Sequence, residues 1–180
     1  ENHEAMRALT THLLVGHGLD DLIFVGSPDG SPDVSERLNG FRAAHRDASR
    51  AQRRRPVRVA LRQEDGVQVA AQLLKRGPLP QAIVCANDET ALGILVGFLG
   101  AGVRVPEDVV ITGFDDVQMA GLVSPALTTV RQPIRALAAE TARQLLRASP
   151  GPGSTPPESR VLPTELVIRR SCGCAGARTS

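Results

Sequence analysis

The chain has almost nothing aromatic. Among 180 residues there are four Phe and no Tyr or Trp. Recognition of single-stranded nucleic acid by base stacking needs such rings, so that function is not expected. A self-contained sugar site built on Trp or Tyr faces is equally disfavoured. Strong charge of either sign is missing too. With 21 Lys and Arg against 19 Asp and Glu the formal net charge is +2, which excludes a strongly polybasic nucleic-acid binder. No apolar run approaches the roughly 18–20 residues that cross a bilayer, so no membrane partner is expected. The first residues, Glu1-Asn2-His3-Glu4, read as neither a signal nor a transit peptide.

Cysteine is scarce as well. Cys85 lies in an apolar run and reads as a small core residue. Cys172 and Cys174 could bind metal or oxidise, but no second cysteine pair completes four ligands, so no metal site is expected. This usage reads as a reduced, cytoplasmic protein.

What the sequence does contain is an alternation of two periods. Helical spacing is visible over His3–Val15 (Met6, Leu9, Leu13, Leu14), Asp33–Ala48 (Val34, Leu38, Phe41, Ala44), Glu64–Arg76, Asp88–Leu99 and Ile134–Ala148. Between them stand short apolar runs that suit buried strands: Leu22–Val25, Val57–Leu61, Ala82–Ala86 and Val109–Thr112. Thr128–Val130 and Val161–Ile168 read as further extended pieces. Arg53-Arg54-Arg55-Pro56 is a solvated connector, and Ser149–Ser159, rich in Pro and Gly, is a poor candidate for regular structure. The tail from Arg169, with 172–180 at its end, is expected to be frayed. The pattern predicts an α/β fold with a mainly parallel sheet.

In such sheets ligands bind at the carboxyl ends of the strands. Asn87, Asp88 and Glu89 follow one strand; Asp115 and Asp116 follow another. Each has a structural alternative. Asn87 suits a helix N-cap, with Asp88 and Glu89 offsetting the helix dipole. Asp115 and Asp116 suit an ordinary turn, and Arg37, inside a helix, suits the surface. No nucleophile elbow, Walker loop or dinucleotide loop is present, and Asp115, Asp116 and Glu89 show no paired acid and base.

Several blocks together resemble the LacI/GalR family of bacterial transcriptional regulators. They are Ala86-Asn87-Asp88-Glu89-Thr90-Ala91-Leu92-Gly93, Gly102-Val103-Arg104-Val105-Pro106-Glu107-Asp108-Val109, Thr112-Gly113-Phe114-Asp115-Asp116, Pro125-Ala126-Leu127-Thr128-Thr129-Val130-Arg131-Gln132-Pro133 and Leu162-Pro163-Thr164-Glu165-Leu166-Val167-Ile168-Arg169. Upstream, His12-Leu13-Leu14 with His17-Gly18, and Glu36-Arg37-Leu38-Asn39-Gly40-Phe41, agree too. The blocks keep the family's order over about residues 1–171.

The resemblance implies a periplasmic-binding-protein-like sensor, parallel sheets flanked by helices, with one lobe and part of a second in this chain. It places 1–50 in the N-terminal lobe, 51–127 in the C-terminal lobe, and 128–171 in the lobe crossover, helix and final strand. The implied function is non-enzymatic sensing of a small effector, a sugar or sugar-like molecule, without a cofactor. Operator DNA would be read by a helix-turn-helix headpiece that is not in this sequence; the alternative is a periplasmic sugar-binding receptor of a transporter. The effector contacts implied are Arg37, Asn87 and Asp115, with Gln132 near the cleft. Leu61 occupies a position where many members place a stacking aromatic. Homodimerisation is implied through the helix around Leu92 and Leu99 and the segment Val117–Ser124, which includes Val123.

Overall fold

A computed structural model describes residues 1–147 and 159–175. Three parallel strands form the centre: β1 (Leu22–Val25), β2 (Ala82–Cys85) and β3 (Val110–Thr112), in the order β1-β2-β3. The register pairs Leu22 with Ala82 and Val25 with Cys85, then Ala82 with Val110. Single parallel bridges extend the sheet at both edges, Val25 with Val57 and Thr112 with Thr128. The helices are α1 (Asn2–Thr11), α2 (Pro32–Asp47), α3 (Gln63–Arg76), α4 (Asp88–Gly100), α5 (Gln118–Leu122) and α6 (Ile134–Arg147). Strands β4 (Thr129–Arg131) and β5 (Glu165–Val167) pair antiparallel.

The division into lobes expected at residue 50 falls inside this sheet. β1 pairs along its whole length with β2, so residues on both sides of that boundary share one unit. Strand alternation sends side chains to opposite faces, and two cores follow. Leu22, Phe24, Ala82, Val84 and Val110 pack with Met6, Leu9, Leu13, Leu38 and Phe41 of the α1–α2 side. Ile23, Val25, Ile83, Cys85 and Ile111 pack with Val69, Leu73, Ile94, Leu95 and Phe98 of the α3–α4 side.

Local signals explain most boundaries. Ser31 caps α2, its hydroxyl accepting from Val34 N, with Pro32 in the first turn. Asn87 caps α4, its Oδ1 accepting from Thr90 N at 3.1 Å. The run Val57–Leu61 does not become a full strand. Val57 N donates to Phe24 O and Val57 O accepts from Gly26 N, each at 2.9 Å. Beyond it the chain leaves the sheet, and Leu61 takes a left-handed φ of 68°. Pro56 and the flanking arginines suit an edge position rather than a buried ladder.

The chain after Arg169 is not frayed where it is described. Ser171 and Cys172 are buried in a short 3-10 turn, Arg170–Cys172. Ser171 N donates to Ala126 O, its hydroxyl donates to Ile111 O, and it accepts from Thr128 N. These bonds fasten the segment to the end of the sheet. The stretch 148–158 and residues 176–180 lie outside the described residues. Among those described, no helix is long and apolar enough to cross a membrane.

α6 is amphipathic but covers little. Of its side chains only Glu140 is buried, whereas Ile134, Leu137, Leu145 and Leu146 are exposed.

Asp88 holds the carboxyl end of the sheet together. It is fully buried, and its Oδ1 accepts from Thr129 Oγ1 at 2.6 Å while Oδ2 accepts from Val117 N at 2.9 Å. Its own N–H donates to Phe114 O at 2.8 Å. Burial raises its pKa to about 6, against the two hydrogen bonds, which pull it down. A folded pKa raised above the unfolded value of 3.8 adds stability below that value and loses it as pH rises through about 6. Relative to an Asp88→Asn variant, the wild type should therefore gain on the order of 2–3 kcal/mol when the pH is lowered from 7 to 4. Urea unfolding of both proteins at the two pH values measures this; a constant difference would remove the assignment.

Helices α3 and α4 pack backbone to backbone at Gly93. A Cβ there would lie 2.0 Å from Gln63 O, with no flexible side chain to yield. Gly93→Ala should cost about 1–3 kcal/mol through forced separation of the helices. Gly100→Ala, at a position with nothing within 4 Å, should not lower the melting temperature.

Candidate functional site

The chain segments that leave the sheet at its carboxyl edge are Gly26–Gly30 after β1, Ala86-Asn87 after β2 and Gly113–Asp116 after β3. α2 runs beside them and supplies Arg37. The expectation of a surface cation at Arg37 is overturned, for its relative exposure is 6%. Arg37 Nε donates to Asn2 Oδ1 at 2.8 Å and Nη1 donates to Ala86 O at 2.7 Å. The guanidinium carbon stands 3.8 Å over the centroid of the Phe114 ring, a cation–π contact. Nη2 lies 3.6 Å from Asp115 Oδ1, a charge contact rather than a hydrogen bond. Burial lowers the pKa of Arg37, and Asp115 opposes that shift.

Asp115 is strained and half-buried. Its φ is 119°, in the region that favours glycine, and its N–H is held by Val130 O at 2.8 Å. Burial raises the carboxyl pKa; Arg37 and the hydrogen bond from Gln132 pull it down. Gln132 Nε2 donates to Asp115 Oδ1 at 2.5 Å, so Gln132, Asp115 and Arg37 form one polar chain across the edge.

Asn87 fulfils its capping alternative. Its Nδ2 also donates to Leu61 O at 2.9 Å. Each polar atom thus keeps one further hydrogen-bonding capacity, one N–H and one lone pair. Leu61 meets this site through its carbonyl, while its side chain packs against the α1–α2 core. Asp116 is a structural carboxylate. Arg131 Nε reaches Oδ2 at 2.7 Å and Arg169 Nη2 reaches Oδ1 at 2.6 Å, with the side chain 8% exposed. Both oxygens are therefore engaged away from any acid–base pairing with Asp115.

The expected interface residues separate. Leu92 is buried in the α3–α4 core and so is not a surface contact. Val123 is partly buried against the same core, whereas Leu99 is exposed, as are Val96, Met119 and Leu122.

The expectation that Cys172 and Cys174 lack partners fails in three dimensions. His12 and His17 face them, and the four potential ligand atoms lie within 4.8 Å of one another. Residues 160 apart carry no spacing signal, so sequence reading could not join them. Cys85 is fully buried with its thiol pKa pushed up by burial, which makes it an inert core residue.

Comparison with known proteins bears on this edge. Residues 11–172 match the family described as periplasmic binding protein-like domain. The lactose operon repressor of Escherichia coli is 29% identical over 184 residues, covering 99% of this chain and 49% of that protein. The HTH-type transcriptional regulator DegA of Bacillus subtilis is 35% identical, covering 89% of this chain and 47% of its own length. The chain spans about half the length of the curated relatives it matches. Among solved structures, a LacI family regulator from Enterococcus faecium with bound ribose superposes with a TM-score of 0.84 at 28% identity. It covers 94% of this chain and 62% of that one. A ribose-bound regulator from Enterococcus faecalis gives 0.81 at 30% identity, with 95% and 61% covered. With 162 of its residues, 11–172, inside the matched region, the chain belongs to the periplasmic binding protein-like domain family, and its relatives are LacI/GalR-type HTH transcriptional regulators.

Proposed function

We propose that this chain is the effector-sensing part of a cytoplasmic LacI/GalR-type regulator and binds a small polyhydroxylated ligand, a sugar or a close analogue. The observation that carries this reading is the polar chain Gln132–Asp115–Arg37 at the carboxyl edge of the sheet, with Asn87 beside it. Arg37 is already fixed by Asn2, Ala86 and the Phe114 ring, so its guanidinium loses little further freedom when Nη2 meets a ligand oxygen. Asp115 offers acceptors, and Asn87 offers one donor and one acceptor. That mixture matches vicinal hydroxyls, each of which donates and accepts. Two similar solved regulators hold ribose, which supports the same ligand class here. Leu61 leaves no ring to stack on, so polar contacts carry the recognition.

Regulatory rather than transport function is supported by the relatives, which are transcriptional regulators. The same relatives favour a non-enzymatic role, and Asp116, held by two arginines, gives Asp115 no acid–base partner. Ligand binding acts by population shift: it favours whichever arrangement of the sensor it binds more tightly. In the intact protein that arrangement sets the placement of paired DNA-binding segments. Homodimerisation is part of the proposal, with Val96, Leu99, Met119 and Leu122 as the exposed apolar contacts on this chain. Leu92 is not among them.

Isothermal calorimetry of the intact regulator against a panel of pentoses, hexoses and nucleosides tests the site. Asp115→Asn should weaken the best ligand at least tenfold, because a partly exposed carboxylate is exchanged with little change of packing. Asp20→Asn, on the opposite edge, should leave affinity unchanged. Equal affinity of wild type and Asp115→Asn would place the ligand elsewhere.

A further inference from the structure

The π-helical turn at the end of α1 sets up a second constellation. Residues His12–Gly16 form a π-helical turn in which His17 N donates to His12 O, five residues back, at 3.2 Å, and Leu19 N then donates to Leu13 O, six residues back, at 3.2 Å. In an α-helix, residues five apart point about 140° away from each other. The wider turn brings them to one side, and π-turns recur at functional sites. The two imidazoles meet edge to face with ring centroids 4.7 Å apart, and their Nε2 atoms are 3.1 Å from each other.

The second half comes from the other end of the described chain. Gly173, between the two cysteines, has φ 91°, and this left-handed residue turns Cys172 and Cys174 toward the same histidines. Cys172 Sγ lies 3.7 Å from His12 Nε2, and Cys174 Sγ lies 3.7 Å from His12 Nε2 and 3.4 Å from His17 Nε2. The segment is not loosely placed, for Ser171 is bonded to Ile111 O, Thr128 N and Ala126 O.

These separations match the edges of a tetrahedron around zinc. With Zn–N of about 2.0–2.1 Å and Zn–S of about 2.3 Å, tetrahedral edges are about 3.3 Å for N···N and about 3.6 Å for N···S. The N···N distance is 3.1 Å, and the N···S distances from Cys172 to His12 and from Cys174 to both histidines are 3.4–3.7 Å, with every pair among the four ligand atoms within 4.8 Å. Two thiolates and two imidazoles select zinc by softness and geometry. Hydrogen bonding alone would explain pairs among these groups, but not the convergence of all four ligand atoms within 4.8 Å.

We propose that His12, His17, Cys172 and Cys174 form a structural zinc site that clamps the C-terminal end of α1 to the segment following β5. Four protein ligands close the coordination sphere, so the metal has no open position for catalysis. Cys172 is buried and the other three are partly buried, which suits a structural site at the margin of a core. The clamp joins residues about 160 positions apart, so bound metal stabilises the folded state over the unfolded one.

The test uses the intact protein purified under reducing conditions. Elemental analysis after dialysis should find about one zinc per chain. Cys172→Ser/Cys174→Ser should lose that equivalent, and Cys85→Ser, at a thiol buried in the other core, should keep it. Cobalt(II) added to the metal-free wild type should give the visible and thiolate charge-transfer bands of tetrahedral S2N2 coordination, and zinc should bleach them. This second measurement needs no variant to fold. Wild-type protein that takes up no more zinc or cobalt than the double variant would overturn the proposal. So would a Cys172–Cys174 disulfide in reducing buffer with no metal retained.

Discussion

A single buried carboxylate organises the edge on which the site stands. Asp88 cannot be withdrawn from water cheaply, and its cost is offset only by donors brought from elsewhere in the chain. Thr129 supplies one and Val117 supplies the other. Thr129 begins β4 and Val117 immediately precedes α5, so the same bonds decide where the chain returns after β3. Asn87, one residue earlier, then has its place at the head of α4, and Phe114 is fixed by accepting from Asp88 N. Phe114 in turn is the surface against which Arg37 rests. The polar groups of the candidate site are thus arranged from below by a carboxylate that lies outside the Gln132–Asp115–Arg37 chain.

Much of this was readable in the residues, and the parts that were not have physical reasons. Strands β1, β2 and β3 are short apolar runs buried on both faces, and their helices carry plain capping signals at Ser31 and Asn87. Parallel pairing, however, leaves no mark on a strand, since each partner reads as the same apolar run. The joining of β1 to β2 across the expected boundary at residue 50 was therefore hidden. Val57–Leu61 has strand composition but meets only one neighbour, so a single bridge forms. Ser171 and Cys172 look like the start of a polar tail until the backbone acceptors around Ser171 are known. Arg37 read as a surface cation because its partners, Ala86 O and Asn2, are distant in sequence.

The candidate site shows why ligand-contact and structural readings of one residue are not rivals. Asn87 caps a helix and fixes Leu61 O, yet an amide has four hydrogen-bonding capacities and only two are consumed. Arg37 braces the edge with two nitrogens and presents the third to Asp115. Side chains held in this way are pre-organised, which reduces the ordering cost of binding.

Helix α4 has a mechanical meaning that follows from its two ends. It contains 13 residues, so it is a rod about 20 Å long. Asn87 stands at its head, at the carboxyl edge of the sheet, and Val96 and Leu99 are exposed near its foot. Gly93 seats its middle directly on the α3 backbone, and Gly66 of α3 against Thr90 O and Gly97 against Ala70 continue the close contact on either side. The helix is in this respect a strut held along its length, with its seam built from missing side chains.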